Sequence, residues 1–341
     1  MSDEMRLALI GGVVPGLLTG VAMLAAWLLW SRKRIRAAQS SADIPDSIRR
    51  EPFGPVWVGP LVLAAGFVLA DSVTNGWPQR WPDNNTYRYP HAAGLLALLG
   101  LLESIWTSRA FVREATVSIA RAAVLAACVW LIGEGYYDAG SRTADQFFGW
   151  MAIASLGGAV VMRIADAGAG VLSARALGPV LALLAGAAMP LLFLTGSALL
   201  TRTTTSVVAF ACAATLAAWL VWFLTRSRDG KIPIEARLVR LDRGATTVLV
   251  GLVIVSAAGV AFQTYPEAKG APSLVLLGLA PAMLGVLCAG GDTFGRAART
   301  RIVSATALVL LTLAVALGIA QLAQPAPEES GDDPSYEYYP G

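Results

Sequence analysis

The sequence predicts an all-α fold, a transmembrane bundle of about ten helices. The first observation behind this prediction is composition: of 341 residues, 56% are hydrophobic and only 14% are charged. A typical soluble domain carries about 25% charged residues. The mean hydropathy of +0.60 agrees with the composition. A soluble fold has too little polar surface to cover this much apolar material, so the expected solvent is the lipid bilayer.

The second observation is the length of the apolar stretches. A helix rises about 1.5 Å per residue and the hydrocarbon core is about 30 Å thick, so about 20 apolar residues make one crossing. Backbone polar groups in lipid need partners within the segment, which only a helix provides over such a length. Ten stretches qualify, at Leu7–Trp30, Val56–Val73, His91–Ser108, Ala115–Tyr136, Phe147–Arg163, Leu177–Leu200, Thr204–Thr225, Ala245–Phe262, Ser273–Gly290 and Ile302–Leu322.

The third observation is the alternation of basic residues between successive connections. Connections that stay in the cytoplasm carry an excess of lysine and arginine. With ten spans, 20 basic residues fall on one side and six on the other. The richer side is therefore predicted to be cytoplasmic, which places both termini outside. The alanine, glycine and arginine bias indicates a bacterial protein, and the predicted location is the bacterial cytoplasmic membrane.

The chain divides into a bundle and a tail. Residues 1–323 hold all the apolar stretches, whereas residues 324–341 are acidic and rich in proline. A segment with so few apolar residues cannot bury a core of its own. The tail is predicted to be disordered.

Two groups of matches point to an internal repeat. LAAWLLW at Leu24–Trp30 returns as LAAWLVW at Leu216–Trp222, and the series Phe111, Arg113, Ala115, Ile119 returns with one constant offset as Phe294, Arg296, Ala298, Ile302. These matches pair the first four spans with the last four in a 4+2+4 arrangement, with copies of the same orientation as in parallel transporter repeats. Similar composition of leucine- and alanine-rich helices is an equally good explanation.

Two charges lie deepest within the predicted spans. Glu103 and Arg121 each lie five or six residues from the cytoplasmic end of neighbouring spans, hence at similar depth. Charges within a membrane usually face protein and find partners. We expect the two residues to form an intramembrane charged pair. An ion pair that holds adjacent helices is the favoured interpretation, and a proton or cation site is the alternative.

The outer face collects four carboxylates near the ends of spans, namely Asp71, Glu134, Asp138 and Asp145. Oxygen ligands of this kind bind hard cations such as Ca²⁺ when they converge. The spacing shows no convergence, so solvated loop ends are the favoured interpretation. The lone His91 and three isolated cysteines offer no ligand pattern for a metal and no catalytic triad. No metal, cofactor or catalytic residue is predicted.

The longest outer connection, residues 75–90, contains four aromatic residues among prolines: Trp77, Trp81, Tyr87 and Tyr89. Tryptophan and tyrosine favour the headgroup region, where an apolar ring and a polar edge are both accommodated. An aromatic belt explains these residues. A cap over a ligand vestibule is the alternative.

Glycine and proline mark helix contacts and helix breaks. Gly12, Gly16 and Gly20 recur every four residues, so one side of the first span is smooth and another helix can approach it closely. Pro190 and Pro281 fall inside spans and predict kinks. Kinked helices near the midplane form the sites of some transporters.

These observations lead to two functional hypotheses of similar weight. Span count, the possible repeat and the kinks favour a transporter or permease-like protein for a small solute or lipid. The poverty of polar residues inside the spans favours a non-catalytic scaffold or subunit of a membrane complex. A membrane enzyme acting on lipid-linked substrates ranks third. The expected partners are the lipid bilayer and other membrane proteins or further copies of the chain; no nucleic-acid motif accompanies the arginines.

Overall fold

A computed structural model describes residues 9–18, 20–23, 58–77, 88–106, 112–138, 143–171, 243–264, 271–288 and 296–323, with scattered positions at 25–29, at 140 and between 179 and 220. The fold is all-helical in these parts of the chain, as the sequence predicts, and they contain no strand. The predicted spans Leu177–Leu200 and Thr204–Thr225 and the acidic tail lie outside the residues described, apart from single positions.

The helices follow the apolar stretches. They are α1 (Val14–Met23, after a π-helical turn at Leu9–Val13), α2 (Val58–Asn75), α3 (Tyr89–Trp106), α4 (Val112–Asp138), α5 (Ala144–Ala152), α6 (Gly158–Val171), α7 (Arg243–Thr264), α8 (Ala271–Leu279) and α9 (Arg296–Leu322). A π-helical turn at Ile153–Gly157 joins α5 to α6, and a 3-10 segment at Ala280–Cys288 continues α8.

Local sequence explains where some elements begin and change. Thr143 caps α5: its Oγ1 accepts from the Gln146 N–H, while the Gln146 side chain accepts from the Thr143 N–H, both at 3.3 Å. Such a capping box satisfies two of the unpaired N–H groups at a helix start. Pro281 lies at the start of the 3-10 segment, where its missing N–H interrupts the α-helical bonding.

Among the described parts of the chain, four helices are long and apolar enough to cross a membrane. They cover Glu114–Asp138, Ala144–Ala167, Gly244–Phe262 and Thr300–Leu322. Shorter apolar helices occur at Val14–Met23, Val58–Val73 and Pro272–Gly285. The apolar helices indicate a membrane location. A count of ten spans and the outward placement of both termini remain predictions.

Helix α7 is the centre of the bundle. Its apolar segment Gly244–Phe262 is 100% buried, whereas only 22% of the apolar segment of α9 is buried. The surrounding elements are α2, α3, α4, α6 and α8, all of which contact α7. A helix that is apolar on every side and buried on every side is the core of a large bundle.

Two helix lengths of the first half of the chain recur in the second half, whereas α7 has 22 residues and its counterpart α2 has 18. The helices α4 and α9 both span 27 residues, and α3 matches in its 18 residues the combined length of α8 and its 3-10 extension. The packing is not symmetric, however. The enclosed helix α7 contacts α2, α3 and α4, whereas its counterpart α2 packs mainly against α3, α7 and the turn Leu9–Val13 among the described elements. The 4+2+4 repeat therefore remains a prediction.

Candidate functional site

The structure brings Glu103 and Arg121 together. The guanidinium of Arg121 on α4 donates from Nε to Glu103 Oε1 at 2.7 Å and from Nη2 to Oε2 at 2.6 Å. Both side chains are buried, with 3% and 4% of the Arg121 and Glu103 side chains exposed. Two parallel bonds of this kind fix the relative orientation of the groups as well as their distance. The pair therefore ties the end of α3 to α4.

Two further residues complete a buried cluster. The Arg121 Nη2 group also donates to Asp166 on α6 and to the Thr247 hydroxyl on α7, the latter at 3.1 Å. The Thr247 hydroxyl in turn donates to Glu103 Oε2 at 2.7 Å. All four residues are at most 5% exposed. We call Glu103, Arg121, Asp166 and Thr247 the four-helix cluster, because each comes from a different helix.

The four-helix cluster lies near one end of the bundle. Glu103 is three residues from the last residue of α3, and Thr247 is four residues from the first residue of α7. At about 1.5 Å per residue, these positions are roughly one helical turn from the helix ends. The sequence predicts this end to be cytoplasmic.

Chemically, the cluster is a set of direct contacts between side chains. Arg121 bridges two carboxylates, and Thr247 both accepts from Arg121 and donates to Glu103. Buried networks with satisfied members make a structure rigid, whereas a member that loses its partner becomes costly. The geometry is suited to holding α3, α4, α6 and α7 in one arrangement. Whether the cluster also exchanges a proton remains a hypothesis.

Asp166 and Thr247 were not among the residues selected from the sequence. The predicted span ended at Arg163, so Asp166 counted as a loop residue, whereas the helix continues to Val171. Thr247 is uncharged and lies in an apolar stretch, and only the paired threonines at 246 and 247 distinguish it. The available signal was a continued helical pattern beyond Arg163.

Close backbone contacts surround the cluster. A Cβ atom on Gly100 of α3 would lie 2.7 Å from the Gly244 carbonyl oxygen and 3.0 Å from both Pro60 Cβ and Val248 Cγ2. A Cβ on Gly251 of α7 would lie 2.6 Å from Leu96. Small residues at these crossings let the helices approach closely, as in other membrane bundles. The helices leave no room for a side chain at these crossings.

The four outer carboxylates have different environments. Glu134 accepts from Arg88 Nη1 at 2.8 Å, and the same nitrogen donates to the Leu131 carbonyl at 3.1 Å. Asp71 is buried, with 2% exposed, rather than solvated. Asp138 and Asp145 are exposed. Among the residues that the structure describes, no three or more histidine, cysteine or acidic side chains are grouped so that they could hold a metal ion.

The aromatic residues of the outer connection also differ. Trp77 is 78% exposed, as a headgroup-level tryptophan would be. Trp81 and Tyr87 lie outside the described residues. Tyr89 begins helix α3 and is buried against α7, so it belongs to the core rather than to an exposed loop. Tyr89 is therefore the first residue of α3 and not part of the connection predicted at residues 75–90, because the helix starts before Pro90.

At the end of the bundle where α3 begins, the core is aromatic. The centroid of the Phe147 ring lies 5.4 Å from the ring centroids of both Trp130 and Phe262 and 5.2 Å from that of Tyr137. A Cβ on Gly133 would meet Phe147 at 2.5 Å. Aromatic pairs at such distances add to the stability that burial provides.

The glycine positions of the first span face protein where the structure describes them. Gly16 and Gly20 are buried, and the neighbouring Leu17 and Leu18 are exposed. The burial of Gly12 is outside the described side chains. The turn Leu9–Val13 contacts α2. The smooth side of this segment thus faces the bundle.

An apolar groove opens between α5, α6, α7 and α8 near the π turn that joins α5 to α6. Its walls are formed by small and aliphatic side chains and by Trp150; the residues that line it at the helix junctions are Gly157, Gly158, Gly278 and Leu279. The groove thus lies beside both irregular segments, the π turn and the start of the 3-10 segment.

Together these features define the class of protein: an all-helical, apolar bundle with a buried charged cluster, of the kind found in membranes. The sequence matches no protein-family description, no curated protein and no solved structure.

Proposed function

We propose that the chain is a non-catalytic scaffold or subunit of a membrane complex. The observation that carries this proposal is the enclosure of α7, whose apolar segment Gly244–Phe262 is buried over its full length. A path for a polar solute needs polar groups along it. In the described core, the polar groups of the four-helix cluster bond to each other, and the glycine contacts at Gly100 and Gly251 bring helix backbones together.

The outer surface of the bundle fits the same role. Helix α9 exposes Val303, Leu310, Leu311 and Val315. Scattered apolar residues of this kind face lipid or the helices of other membrane proteins, since lipid tails and apolar side chains are equally good neighbours. A rigid centre with an apolar exterior is what a structural subunit requires.

The test is the mass of the assembly in its own membrane. The tagged chain, expressed at its natural level, is extracted in polymer-bounded lipid discs and weighed by native mass spectrometry. We expect particles heavier than the 35.6 kDa chain and its lipids, with other membrane proteins in fixed stoichiometry. Recovery of the chain alone, or only with further copies of itself, would contradict the proposal.

A second candidate, a transporter or permease for a small solute or lipid, is favoured by one specific observation. Three ionisable side chains meet inside the apolar bundle, and such residues mark ion or proton pathways in many membrane proteins. The π turn and the 3-10 segment add irregular helix geometry of the kind found at transporter sites. For a lipid cargo the apolar groove is the compatible feature; for a polar cargo the described core offers no lined path.

The second candidate is tested with the purified chain in liposomes that contain a pH-sensitive dye. Transport predicts a proton flux that the folded fraction of the Glu103→Gln variant lacks, even though this substitution also lowers stability. The matched control is Glu114→Gln, which changes an exposed carboxylate on α4. A scaffold predicts no flux in the unaltered chain.

A further inference from the structure

The apolar groove beside the π turn has a buried floor and an exposed rim. The floor contains the buried residues Ala154, Gly158, Ile254, Ala257 and Ala258. On the rim, Ile153 is 54% exposed and Leu279 is 40% exposed. The rim belongs to a helix pair of which only 39% of the apolar segment Ala144–Ala167 is buried. The groove is therefore open towards the side of the bundle that faces lipid.

Two glycines leave the groove open above its floor. Gly157 and Gly278 come from different elements and both line the groove, and a Cβ on either would meet no atom within 4 Å. The neighbouring Gly158 differs, because a Cβ there would lie 2.7 Å from Leu125. The floor is thus tightly packed against the core, whereas the level of Gly157 and Gly278 has room for the side chains that these two residues lack.

The lining limits what this room can hold. Among the residues that the structure describes, the groove is lined by no charged side chain, and only Trp150 carries a polar side-chain group. A polar group that enters an apolar site without a hydrogen-bond partner is penalised. The buried part of any occupant is therefore apolar.

The position of the groove along α7 and α8 matches one leaflet of the bilayer. On α7, the lining residues Ile254 and Ala258 are eight and four residues from Phe262, hence about 6 to 12 Å from that end of the apolar segment. On α8, the lining begins at Leu274, two residues after the apolar segment starts, and ends at Leu279. The connection between α7 and α8 places these ends on one side. Because the hydrocarbon core is about 30 Å thick, positions within about 15 Å of one side belong to one leaflet.

The packing of the walls excludes a further helix as the occupant. The elements α5, α6 and α8 all contact α7, and α6 also contacts α8. A helix with its side chains is about 10 to 12 Å across and would have to separate these elements. A hydrocarbon chain is a single row of methylene groups and needs no such separation.

We propose that the groove binds one acyl chain of a membrane lipid, in the leaflet next to the connection between α7 and α8. The chain lies along the floor and fills the space beside Gly157 and Gly278. This proposal does not rest on the proposed function, since a subunit of a membrane complex and a transporter can both hold a structural lipid.

The first test identifies the residues that touch the lipid. The purified chain is placed in vesicles of phosphatidylethanolamine and phosphatidylglycerol that contain some phosphatidylethanolamine with a diazirine in one acyl chain. The protein is then extracted, washed in detergent to remove loosely held lipid, and irradiated, and the crosslinks are mapped by mass spectrometry of peptides. We expect crosslinks at Ile153, Ala257 and Leu279 and few at Leu311 of α9, which is 61% exposed. Equal labelling of Leu311 and the groove would overturn the proposal.

The second test fills the groove from either wall. Gly157→Leu and Gly278→Leu are each expected to lower the crosslink yield about tenfold, the effect of removing about two methylene groups from the buried contact. The matched control is Gly318→Leu on α9, where a Cβ also meets no atom within 4 Å, and its yield is expected to stay unchanged. Leucine favours helix more than glycine does, and the unfolding midpoint of each variant verifies its fold. An unchanged yield in the folded filling variants would overturn the proposal, and either variant alone is sufficient for this comparison.

Native mass spectrometry of the washed protein identifies the occupant. We expect the mass of the chain plus one phospholipid, and the chain alone for Gly278→Leu. A second protein chain that is present in the unaltered sample and lost in Gly278→Leu would overturn the proposal, because it would show that a protein segment occupies the groove.

Discussion

Arg121 on α4 holds both carboxylate oxygens of Glu103 on α3, with bonds of 2.7 and 2.6 Å, in a part of the bundle where both residues are buried. Two helices that are neighbours in sequence are thereby locked in one relative orientation. The energetic weight of this contact follows from its burial, because water cannot replace either partner when the other is lost.

Replacement of Glu103 by glutamine is therefore expected to destabilise the bundle strongly. Breaking a buried ion pair costs about 3 to 5 kcal/mol, and we expect the lower end because Asp166 remains near Arg121. The measurement is the free energy of unfolding by denaturant in mixed micelles. Glu114→Gln is the matched control, since Glu114 pairs with Arg163 at 2.9 Å while both side chains are about half exposed. Exposed pairs contribute about 0 to 1 kcal/mol. Equal losses in the two variants would contradict a stabilising role for the buried pair.

Gly100→Ala is expected to disturb the crossing of α3 with α7. The added Cβ would lie 2.7 Å from the Gly244 carbonyl oxygen, and backbone cannot move aside as a flexible side chain can. Overpacking of this kind costs about 1 to 3 kcal/mol. Gly94→Ala on the same helix is the control, because a Cβ there meets no atom within 4 Å. The measurement is the thermal unfolding midpoint of each variant. We expect the midpoint to fall below that of the unaltered chain for Gly100→Ala but not for Gly94→Ala.

The contact of Tyr89 with Gly259 predicts a rescue. The Tyr89 hydroxyl is buried and has no hydrogen-bond partner among the residues that the structure describes, and it occupies the place that a Cβ on Gly259 would need. Gly259→Ala is expected to lower stability, and Tyr89→Phe is expected to raise it by about 1 kcal/mol, because an unsatisfied buried hydroxyl is removed.

The double variant of Tyr89→Phe and Gly259→Ala should recover part of the loss caused by Gly259→Ala alone. Residues in contact show such non-additive effects. Gly149→Ala serves as the control, since a Cβ there meets nothing within 4 Å. Strict additivity of the two changes would show that the hydroxyl does not block position 259.

The predicted orientation is checked by labelling in intact cells. Tyr338→Cys lies in the acidic tail and Ser227→Cys lies in a connection rich in arginine. With both termini outside, an impermeant thiol reagent that has access to the outer face of the membrane is expected to label position 338 and to leave position 227 unlabelled until the membrane is permeabilised. The native cysteines are replaced by alanine in both variants. Protection of position 338 in intact cells would refute the model of two outer termini.

Much of the architecture was predictable, because the length of an apolar stretch alone indicates a helix that can cross the membrane. The predicted span Val56–Val73 appears as Val58–Asn75, and Ala245–Phe262 appears as Arg243–Thr264. The helix ends were predicted less well, because charged residues such as Arg113 and Asp166 stay helical beyond the apolar region. Hydropathy indicates where the apolar part of a helix ends, whereas the backbone hydrogen bonds determine where the helix itself ends.

The candidate site was predictable only in part. Equal distance from the helix ends suggested that Glu103 and Arg121 would meet, since adjacent antiparallel spans bring such positions to one depth. Asp166 and Thr247 arrive from helices that are distant in sequence, and their contact depends on how α6 and α7 pack. The π turn that precedes α6 leaves no composition signal in the segment Ile153–Gly157.

The enclosure of α7 has a consequence for how the protein is made. The chain is synthesised from its N-terminus, and α2, α3, α4 and α6 all precede the helix that they surround. Until residue 262 has left the ribosome, the inner faces of these helices contact lipid or one another. Arg121 has not yet formed its contact with the Thr247 hydroxyl. During synthesis, the first half of the chain thus supplies surrounding helices before the central helix α7 exists. Truncation before α7 should yield a product that the cell's quality control removes.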